Sequence, residues 1–166
     1  MTEVCLADAF PDAASAGEAL RAARLTIAVG ESCTGGLLGA ALTAIPGSSD
    51  YMRGGMIAYS DSAKASLLGV SPAVIARFGA VSEQVARAMA DGARERCSAD
   101  VGVGVTGVAG PGGGSPSKPV GLIFVCVAGR SAVLVERLDG DLGREQNRSR
   151  AVATALRLCM AAAGAQ

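Results

Sequence analysis

Three short segments combine hydroxyl groups, glycines and a lysine in patterns that could carry out chemistry. The first, VGESCTGG at Val29–Gly36, places the hydroxyl of Ser32, the thiol of Cys33 and the hydroxyl of Thr34 next to one another. Each of these groups can be a nucleophile when a base activates it. The same pattern also suits a tight strand-to-helix turn in which Ser32 or Thr34 only caps the helix, so the residues alone leave both interpretations open.

A helix that begins at the two glycines of this segment would present free backbone N–H groups and the positive end of its dipole. We expect Gly35 and Gly36 to let a ligand approach the backbone closely. The anion bound there would be a phosphate or the oxyanion of an acyl-transfer intermediate. Glu31 is expected to orient backbone or arginine groups rather than to react.

The second segment, YSDSAK at Tyr59–Lys64, offers a base for a hydroxyl nucleophile. The chain contains no histidine and only two lysines. A lysine acts as a base only when it is neutral, so the pKa of Lys64 would have to fall well below its usual value of about 10.4, through burial or a nearby cation. Tyr59 could relay the proton or hold the amine in place. A solvated surface lysine is the alternative that this segment leaves open.

The third segment, VTGVAGPGGG, places Thr106 and Gly107 at the end of a predicted strand, before a glycine run that could present N–H groups. A flexible loop would explain the run equally well. Further along the chain we expect Lys118 to be solvated. Arg144 and Arg148 lie four residues apart on one face of a predicted helix. They could bind a phosphate as forked donors or form a solvated charged face.

The elements that carry these segments alternate between strand and helix. Hydrophobic runs predict strands at 26–29, 56–60, 100–107, 120–128 and 131–138. Helical spacing predicts helices at 15–25, 34–44, 61–69, 71–79 and 82–97, with a final helix that ends near 163. This order predicts a single three-layer α/β/α domain over residues 1–166, with a mixed, mostly parallel sheet closed by a hairpin. Since ligands of open α/β sheets bind at the carboxyl ends of the strands, the three segments are expected to meet there.

Composition argues against several classes of protein. A net charge of zero and an aromatic content of 3% argue against a nucleic-acid partner, which would need a basic surface or stacking platforms. No apolar run reaches transmembrane length, and the N-terminal MTEVCLADAFPD lacks the basic start of a signal peptide. We therefore expect no membrane partner and a cytoplasmic protein. The five isolated cysteines include no CxxC pair, which argues against a disulfide framework or a structural zinc.

Taken together, the segments resemble the C-terminal domain family of the competence/damage-inducible protein CinA, which includes stand-alone nicotinamide mononucleotide deamidases of the PncC type. The matches run from Ala28 to Arg150 in the order of the family: ESCTGG, LLGAALTAIPGSSDYMRGG, YSDSAKASLLGV, GAVSEQVARAMADGAR, VTGVAGPGGGSPSKPVG and GDLGREQNR. This sequence lacks the larger N-terminal domain of full-length CinA, so we expect the stand-alone form. The resemblance also implies a homodimer.

The resemblance implies hydrolysis of the carboxamide of nicotinamide mononucleotide to nicotinic acid mononucleotide and ammonia. It implies a serine–lysine mechanism that uses no metal and no cofactor. On this sequence the catalytic residues fall on Ser32, Tyr59 and Lys64. We expect the substrate to contact the first turn, the end of the third segment's strand and the arginine pair, namely Thr34, Gly35, Gly36, Thr106, Gly107, Arg144 and Arg148.

The chain departs from the family pattern at three places. Asp61 stands where the family often has asparagine, Leu142 and Gly143 lengthen the usual GDR segment, and Asn147 replaces a common aliphatic residue. Two alternatives to the deamidase stay open. One is a non-catalytic module that binds a nucleotide or a partner and keeps its lysine charged. The other is a thiol hydrolase in which Cys33 is activated by the lysine or by a helix dipole.

Overall fold

The structure, a computed structural model, describes residues 5–165, so the first four residues of the N-terminal stretch considered above lie outside it. In this part of the chain the helices are α1 (Leu6–Ala9), α2 (Asp12–Ala22), α3 (Leu37–Thr43), α4 (Asp61–Leu68), α5 (Pro72–Phe78), α6 (Glu83–Arg96) and α7 (Arg144–Gly164). The strands are β1 (Ile27–Glu31), β2 (Met52–Ile57), β3 (Val101–Gly107), β4 (Ile123–Ala128) and β5 (Val133–Leu138). Within residues 5–165, no helix combines the length and the apolar character that crossing a bilayer requires.

The strands form one mixed sheet in the order β2-β1-β3-β4-β5. β1 lies parallel to both β2 and β3, whereas β4 runs antiparallel to β3 and to β5. Four strands therefore point the same way and one runs against them. The predicted mixed sheet with a closing hairpin is confirmed.

Helices cover both faces of this sheet, which confirms the three-layer α/β/α architecture. α2, α3 and α7 pack on one face around the larger core, and α4, α5 and α6 pack on the other. The chain leaves β1 through α3 on the first face and leaves β2 through α4 on the second. Because the connections change face at β1, a crevice opens at the carboxyl ends of β1 and β3, where ligands of such sheets bind.

Glycines alternate with valines along β3 because α6 packs directly on one face of the strand. The three valines are buried in the core shared with α2, α3 and α7. A Cβ atom at Gly102 or Gly104 would instead collide with backbone carbonyl groups of α6. The two-residue period of a strand separates these two sets of side chains. The close packing on α6 thereby fixes the position of the strand end that carries Thr106.

Most predicted elements are present with shifted bounds. The position of the second strand was predicted wrongly, because the strand covers Met52–Ile57 and not 56–60. Its first half is the MRGG stretch, whose glycines favour a loop, yet parallel pairing with β1 makes it a strand. β1 continues to Glu31, and α3 begins at Leu37 and not at 34. The short helix α1 has no counterpart among the predicted elements.

All five cysteines are free thiols. Cys126 and Cys159 are fully buried, and burial raises the pKa of each thiol to about 12. Cys33 is also buried, whereas Cys97 is half-buried and Cys5 is exposed. The deeply buried thiols pack as small hydrophobic side chains.

Candidate active site

A cleft of about 170 Å³ opens at the carboxyl ends of β1 and β3. Its lining comes from the turn after β1, the start of α4, the segment after α5 and the end of β3, and consists of Ser32, Cys33, Tyr59, Asp61, Lys64, Ala80, Val81, Thr106, Gly107 and Ala109. Each of the three segments, VGESCTGG, YSDSAK and VTGVAGPGGG, contributes residues to it. The structure therefore brings Ser32, Tyr59, Lys64, Thr106 and Gly107 together at one edge of the sheet.

The amine of Lys64 lies next to the hydroxyl of Ser32. The distance between Nζ and Oγ is 3.1 Å, and the two residues are 2% and 7% exposed. Nζ also donates to the backbone carbonyl of Tyr59 at 3.2 Å. The carbonyl of Tyr59 can only accept a hydrogen bond, so it binds one N–H of the amine. The lone pair of a neutral amine then remains free to face Ser32. The separation suits a nucleophile and its base.

Burial lowers the pKa of Lys64, since an ammonium group loses its hydration when it leaves water. The carboxylate of Asp61, 3.9 Å from Nζ, acts in the opposite direction and favours the ammonium. The side chain of Asp61 is 62% exposed, so water screens this attraction. The surface-lysine interpretation is wrong, because Lys64 is buried beside Ser32. Its lowered pKa increases the fraction of amine that can accept a proton.

Lys64 reaches the cleft because of where α4 begins and ends. The hydroxyl of Ser60 caps the helix by accepting from the N–H of Ala63 at 3.1 Å. Gly69 ends the helix in the left-handed region, with φ at 69°. Lys64 and Leu68 are the buried residues of α4, four positions apart on one face. The YSDSAK spacing therefore turns the amine inward.

Tyr59 contacts Lys64 through its backbone and Arg144 through its side chain. Its carbonyl accepts from the lysine amine, whereas its hydroxyl accepts from Nη2 of Arg144 at 3.3 Å. The residue is 58% exposed. These contacts agree with the holding role considered for Tyr59. A proton relay through its hydroxyl stays a prediction.

Glu31 organises the turn that carries Ser32. Its carboxylate is 1% exposed and accepts from the N–H groups of Gly36, Leu38 and Gly39 at 3.1, 3.1 and 2.8 Å. These are donors that the first turn of an α-helix leaves free, and the carboxylate also meets the positive end of the helix dipole. The N–H of Ser32 donates to the backbone of β3 at 2.9 Å. Glu31 thus orients backbone, as its place in the sequence led us to expect.

We expect Glu31→Gln to lower the free energy of unfolding by about 1.5–3 kcal/mol, because an amide NH₂ would face a helix donor and charge-assisted hydrogen bonds would be lost. Urea denaturation measures this change. Glu18→Gln, at an exposed position of α2, is the matched control and should stay within about 0.5 kcal/mol of the parent. A Glu31→Gln variant as stable as this control would contradict the capping role.

The two glycines of the turn already have hydrogen-bond partners within the chain. The N–H of Gly35 donates to the carbonyl of Ser32 at 3.0 Å, and the N–H of Gly36 donates to the carboxylate of Glu31. Contrary to expectation, their N–H groups are not free for an anion, because the carbonyl of Ser32 and the carboxylate of Glu31 already accept from them. The N–H of Thr34 donates to no acceptor within residues 5–165, whereas the N–H of Cys33 interacts with its own thiol. A contribution of Gly35 and Gly36 to substrate binding by close approach stays a prediction.

Cys33 lines the cleft, but its thiol is poorly suited to attack. Burial is the main reason that its pKa is raised to about 11, and the carboxylate of Glu31 adds to the rise. At neutral pH only about one thiol in 10⁴ would then be the reactive thiolate. The amine of Lys64 contacts the hydroxyl of Ser32. These observations favour Ser32 over Cys33 as nucleophile.

The wall of the cleft opposite α4 is built by two long-range contacts. The hydroxyl of Thr106, a residue 1% exposed, donates to the carbonyl of Ala80 at 2.8 Å. The amine of Lys118 donates to the carbonyls of Phe78 and Val81 at 3.3 and 2.6 Å. The expectation of a solvated Lys118 is therefore wrong, since it ties the glycine-rich loop to this wall. Ala80 and Val81 carry no reactive group, and only the GAVSEQ match to the family pointed to them.

Arg144 and Arg148 have different surroundings although they share one helix face. Arg144 is exposed and donates to the carbonyl of Gly110 at 2.6 Å as well as to the hydroxyl of Tyr59. Arg148 is half-buried and donates to the carbonyl of Thr34 at 2.9 Å, which supports the turn after β1. The hydroxyl of Thr34 is buried and has no hydrogen-bond partner among the described residues. Arg144 thus contacts the second and third segments, whereas Arg148 contacts the first.

Asn147, a departure from the family pattern, anchors the lengthened segment before α7. It is fully buried, and its amide NH₂ donates to the carbonyl of Ala109 at 3.1 Å and to Asp141 at 2.8 Å. Its side-chain oxygen accepts from the N–H of Leu142 at 3.0 Å. Asp141 also accepts from the N–H of Gly143 at 2.8 Å. The extra residues and the asparagine therefore form one hydrogen-bonded unit against the cleft wall.

Comparison with protein families matches residues 11–163 to the CinA C-terminal domain. The chain belongs to the CinA C-terminal domain family. CinA-like proteins from Mycolicibacterium paratuberculosis and Acidobacterium capsulatum are each 54% identical to it, over 134 and 121 residues. The matches cover 76% and 72% of this chain but 31% and 29% of those relatives. This CinA domain thus spans about a third of the length of the curated relatives that it matches.

Solved structures of the CinA superfamily share the fold of this domain. The competence/damage-inducible protein CihA from Agrobacterium tumefaciens is 42% identical, with a TM-score of 0.86 over 92% of this chain and 96% of that one. A CinA-superfamily protein from Escherichia coli is 31% identical, with a TM-score of 0.88 over 97% and 94% of the two chains. The CinA fold predicted from the sequence motifs is confirmed.

Proposed function

We propose that this CinA domain is a nicotinamide-nucleotide amidohydrolase, which converts nicotinamide mononucleotide and water into nicotinic acid mononucleotide and ammonia. The observation that carries the proposal is the buried Lys64 amine, 3.1 Å from the Ser32 hydroxyl in a cleft at the carboxyl ends of β1 and β3. Such a pair supplies a nucleophile and a base in a chain that has no histidine. The choice of substrate rests on the resemblance to PncC-type deamidases.

In the first half of the reaction, neutral Lys64 removes the proton of the Ser32 hydroxyl as Oγ attacks the carboxamide carbon. The carbonyl oxygen becomes an oxyanion. The C–N bond then breaks, and the ammonium of Lys64 returns its proton to the departing nitrogen, which leaves as ammonia. The product of this half is an ester between the nicotinoyl group and Ser32. Base catalysis by a positioned side chain contributes about 10²–10⁴-fold to such a step.

In the second half, water attacks the ester carbon and Lys64 accepts a proton from it. The ester C–O bond breaks, and Oγ of Ser32 recovers a proton from Lys64. The acid product releases its proton to the solvent and leaves as its carboxylate. The lysine thus alternates between base and acid in both halves, which requires a pKa closer to neutrality than that of an exposed lysine. Burial shifts the pKa of Lys64 in that direction.

The oxyanion and the phosphate would be held by different parts of the site. We assign the oxyanion to the N–H of Thr34, which has no acceptor among the described residues, and to the neighbouring N–H of Cys33. One such donor is worth about 3–4 kcal/mol of transition-state stabilisation. A cleft of about 170 Å³ is smaller than the roughly 300–1,000 Å³ of complete ligand sites, so it suits the carboxamide end of the nucleotide. The phosphate would then lie outside, within reach of Arg144. Arg148 would support the turn that supplies the oxyanion donors.

The proposal is tested by measuring ammonia release from nicotinamide mononucleotide, free nicotinamide and the nicotinamide dinucleotide. We expect the mononucleotide to have the highest kcat/KM, because it alone combines the carboxamide with a terminal phosphate for Arg144. Equal rates on free nicotinamide would contradict the nucleotide assignment. Saturable binding of the mononucleotide with no ammonia would instead identify a binding module, an alternative for which the carboxylate of Asp61 beside Lys64 is the favouring contact.

Cys33→Ala is expected to keep kcat/KM for ammonia release within about threefold of the parent, because the raised pKa of the thiol leaves almost no thiolate at neutral pH. A steady-state assay of the purified variant measures this. Loss of turnover in Cys33→Ala, together with an active Ser32→Ala variant, would select the thiol hydrolase instead.

Three further expectations remain part of the proposal. They are a single domain over residues 1–166, assembly as a homodimer and a cytoplasmic location. The homodimer follows from the resemblance alone.

A further inference from the structure

We propose that the carboxylate of Asp61 sets the lower end of the pH range in which Lys64 can act as a base. Asp61 would thereby reduce the deamidase rate in acidic solution without taking part in the chemistry. The effect on rate rests on the proposed function. The effect on the charge of Lys64 does not, since it can be measured without turnover.

The geometry that carries this inference is fixed by α4. Asp61 is the first residue of the helix and Lys64 lies one turn later, with 3.9 Å between Oδ1 and Nζ. The amine cannot move far from the carboxylate, because it is buried and bonded to Ser32 and to the carbonyl of Tyr59. A negative charge at this distance favours the ammonium over the neutral amine.

Asp61 is also the carboxylate among the groups that face Lys64. The titratable groups that act on Lys64 are Asp61 from α4 itself, the thiol of Cys33 from the turn after β1, and the phenol of Tyr59 from the segment between β2 and α4. Thiols and phenols carry charge only in alkaline solution. Helices α5 and α6 and strand β2 pack against α4 but, within residues 5–165, add no charged side chain to this set. The carboxylate is therefore the one charge here that opposes the effect of burial.

Asparagine at this position would keep the size and polarity of the side chain without its charge. In Asp61→Asn, Lys64 should therefore lose its proton at a lower pH than in the parent. The acidic limb of the kcat/KM profile should move to lower pH. Because the carboxylate is mostly exposed, we expect a rise in rate below the limb of about two- to fivefold, the range of exposed ion pairs.

The direct test is an NMR titration of the protein labelled with carbon-13 at the lysine ε positions, without substrate. The chain has two lysines, so the spectrum contains two ε signals, and a Lys118→Arg sample assigns them. Asp12→Asn is the matched control, because Asp12 is the first residue of α2 as Asp61 is of α4. We expect the Lys64 signal to titrate at lower pH in Asp61→Asn and unchanged in Asp12→Asn. Identical Lys64 titrations in Asp61→Asn and the parent would overturn the proposal.

A kinetic comparison separates this proposal from the proposed function. The pH profiles of kcat/KM for the parent, Asp61→Asn and Asp12→Asn are measured with nicotinamide mononucleotide. An acidic limb that moves only in Asp61→Asn supports the proposal, and a limb that stays in place overturns its claim about the rate. A parent protein that releases no ammonia contradicts the proposed function, while the NMR titration still decides whether Asp61 controls the charge of Lys64.

Discussion

Replacing Lys64 by methionine is expected to lower kcat/KM for ammonia release by about 10²–10⁴-fold, the contribution of a positioned base. Methionine has a similar length and suits a buried site, but it cannot accept the proton of Ser32. Initial rates with nicotinamide mononucleotide measure the loss. Lys64→Arg should be similarly inactive, because arginine keeps the positive charge and stays protonated. An arginine variant with parental activity would show that Lys64 contributes charge and not basicity.

The same methionine variant should be at least as stable as the parent at neutral pH. Burial lowers the pKa of Lys64, so the folded protein holds that proton less tightly than the unfolded chain does. Such a group costs stability below the folded-state pKa, and the cost shrinks as the pH rises towards the usual lysine value. An uncharged methionine avoids this cost. Equilibrium unfolding in urea checks it, and an inactive but stable variant excludes misfolding as the cause of the lost rate.

Ser32→Ala is expected to reduce ammonia release to the uncatalysed background, since loss of a serine nucleophile costs about 10⁶-fold in a serine protease. Its stability should change little, because its hydroxyl contacts the amine of Lys64 and not the turns that hold the fold. Ser62→Ala removes an exposed hydroxyl from the start of α4, outside the lining of the cleft, and serves as the matched control with parental activity. Substantial turnover by Ser32→Ala would rule out the serine mechanism.

The meeting of the three segments could be predicted because it follows from topology. Each segment lies near the carboxyl end of a strand, and those ends share one edge of the sheet. The absence of histidine leaves Lys64 as the base expected for Ser32, and the two side chains lie in contact. The alternation of valine and glycine in β3 also predicted a strand correctly, because successive side chains of a strand point to opposite faces whatever packs on them.

Hydrogen bonds between different elements of the fold explain what could not be predicted from the sequence. Lys118 looked solvated among glycines and prolines, but its partners are 40 and 37 residues earlier in the chain. The helix start at Gly36 looked open to an anion, but Glu31 from the preceding strand occupies it. The glycines in the first half of β2 predicted a loop. This segment is a strand because pairing with β1 outweighs their local preference. Each error concerns a contact whose two partners are distant in sequence or belong to different elements.

The most direct test of the account is the amount of both products formed from nicotinamide mononucleotide by the purified protein and by its Ser32→Ala variant. Ammonia is measured enzymatically and nicotinic acid mononucleotide by chromatography in the same samples. The account predicts equimolar ammonia and acid from the parent and background amounts from the variant. Saturable binding of the mononucleotide by the parent without either product, or equal product formation by parent and variant, would contradict it.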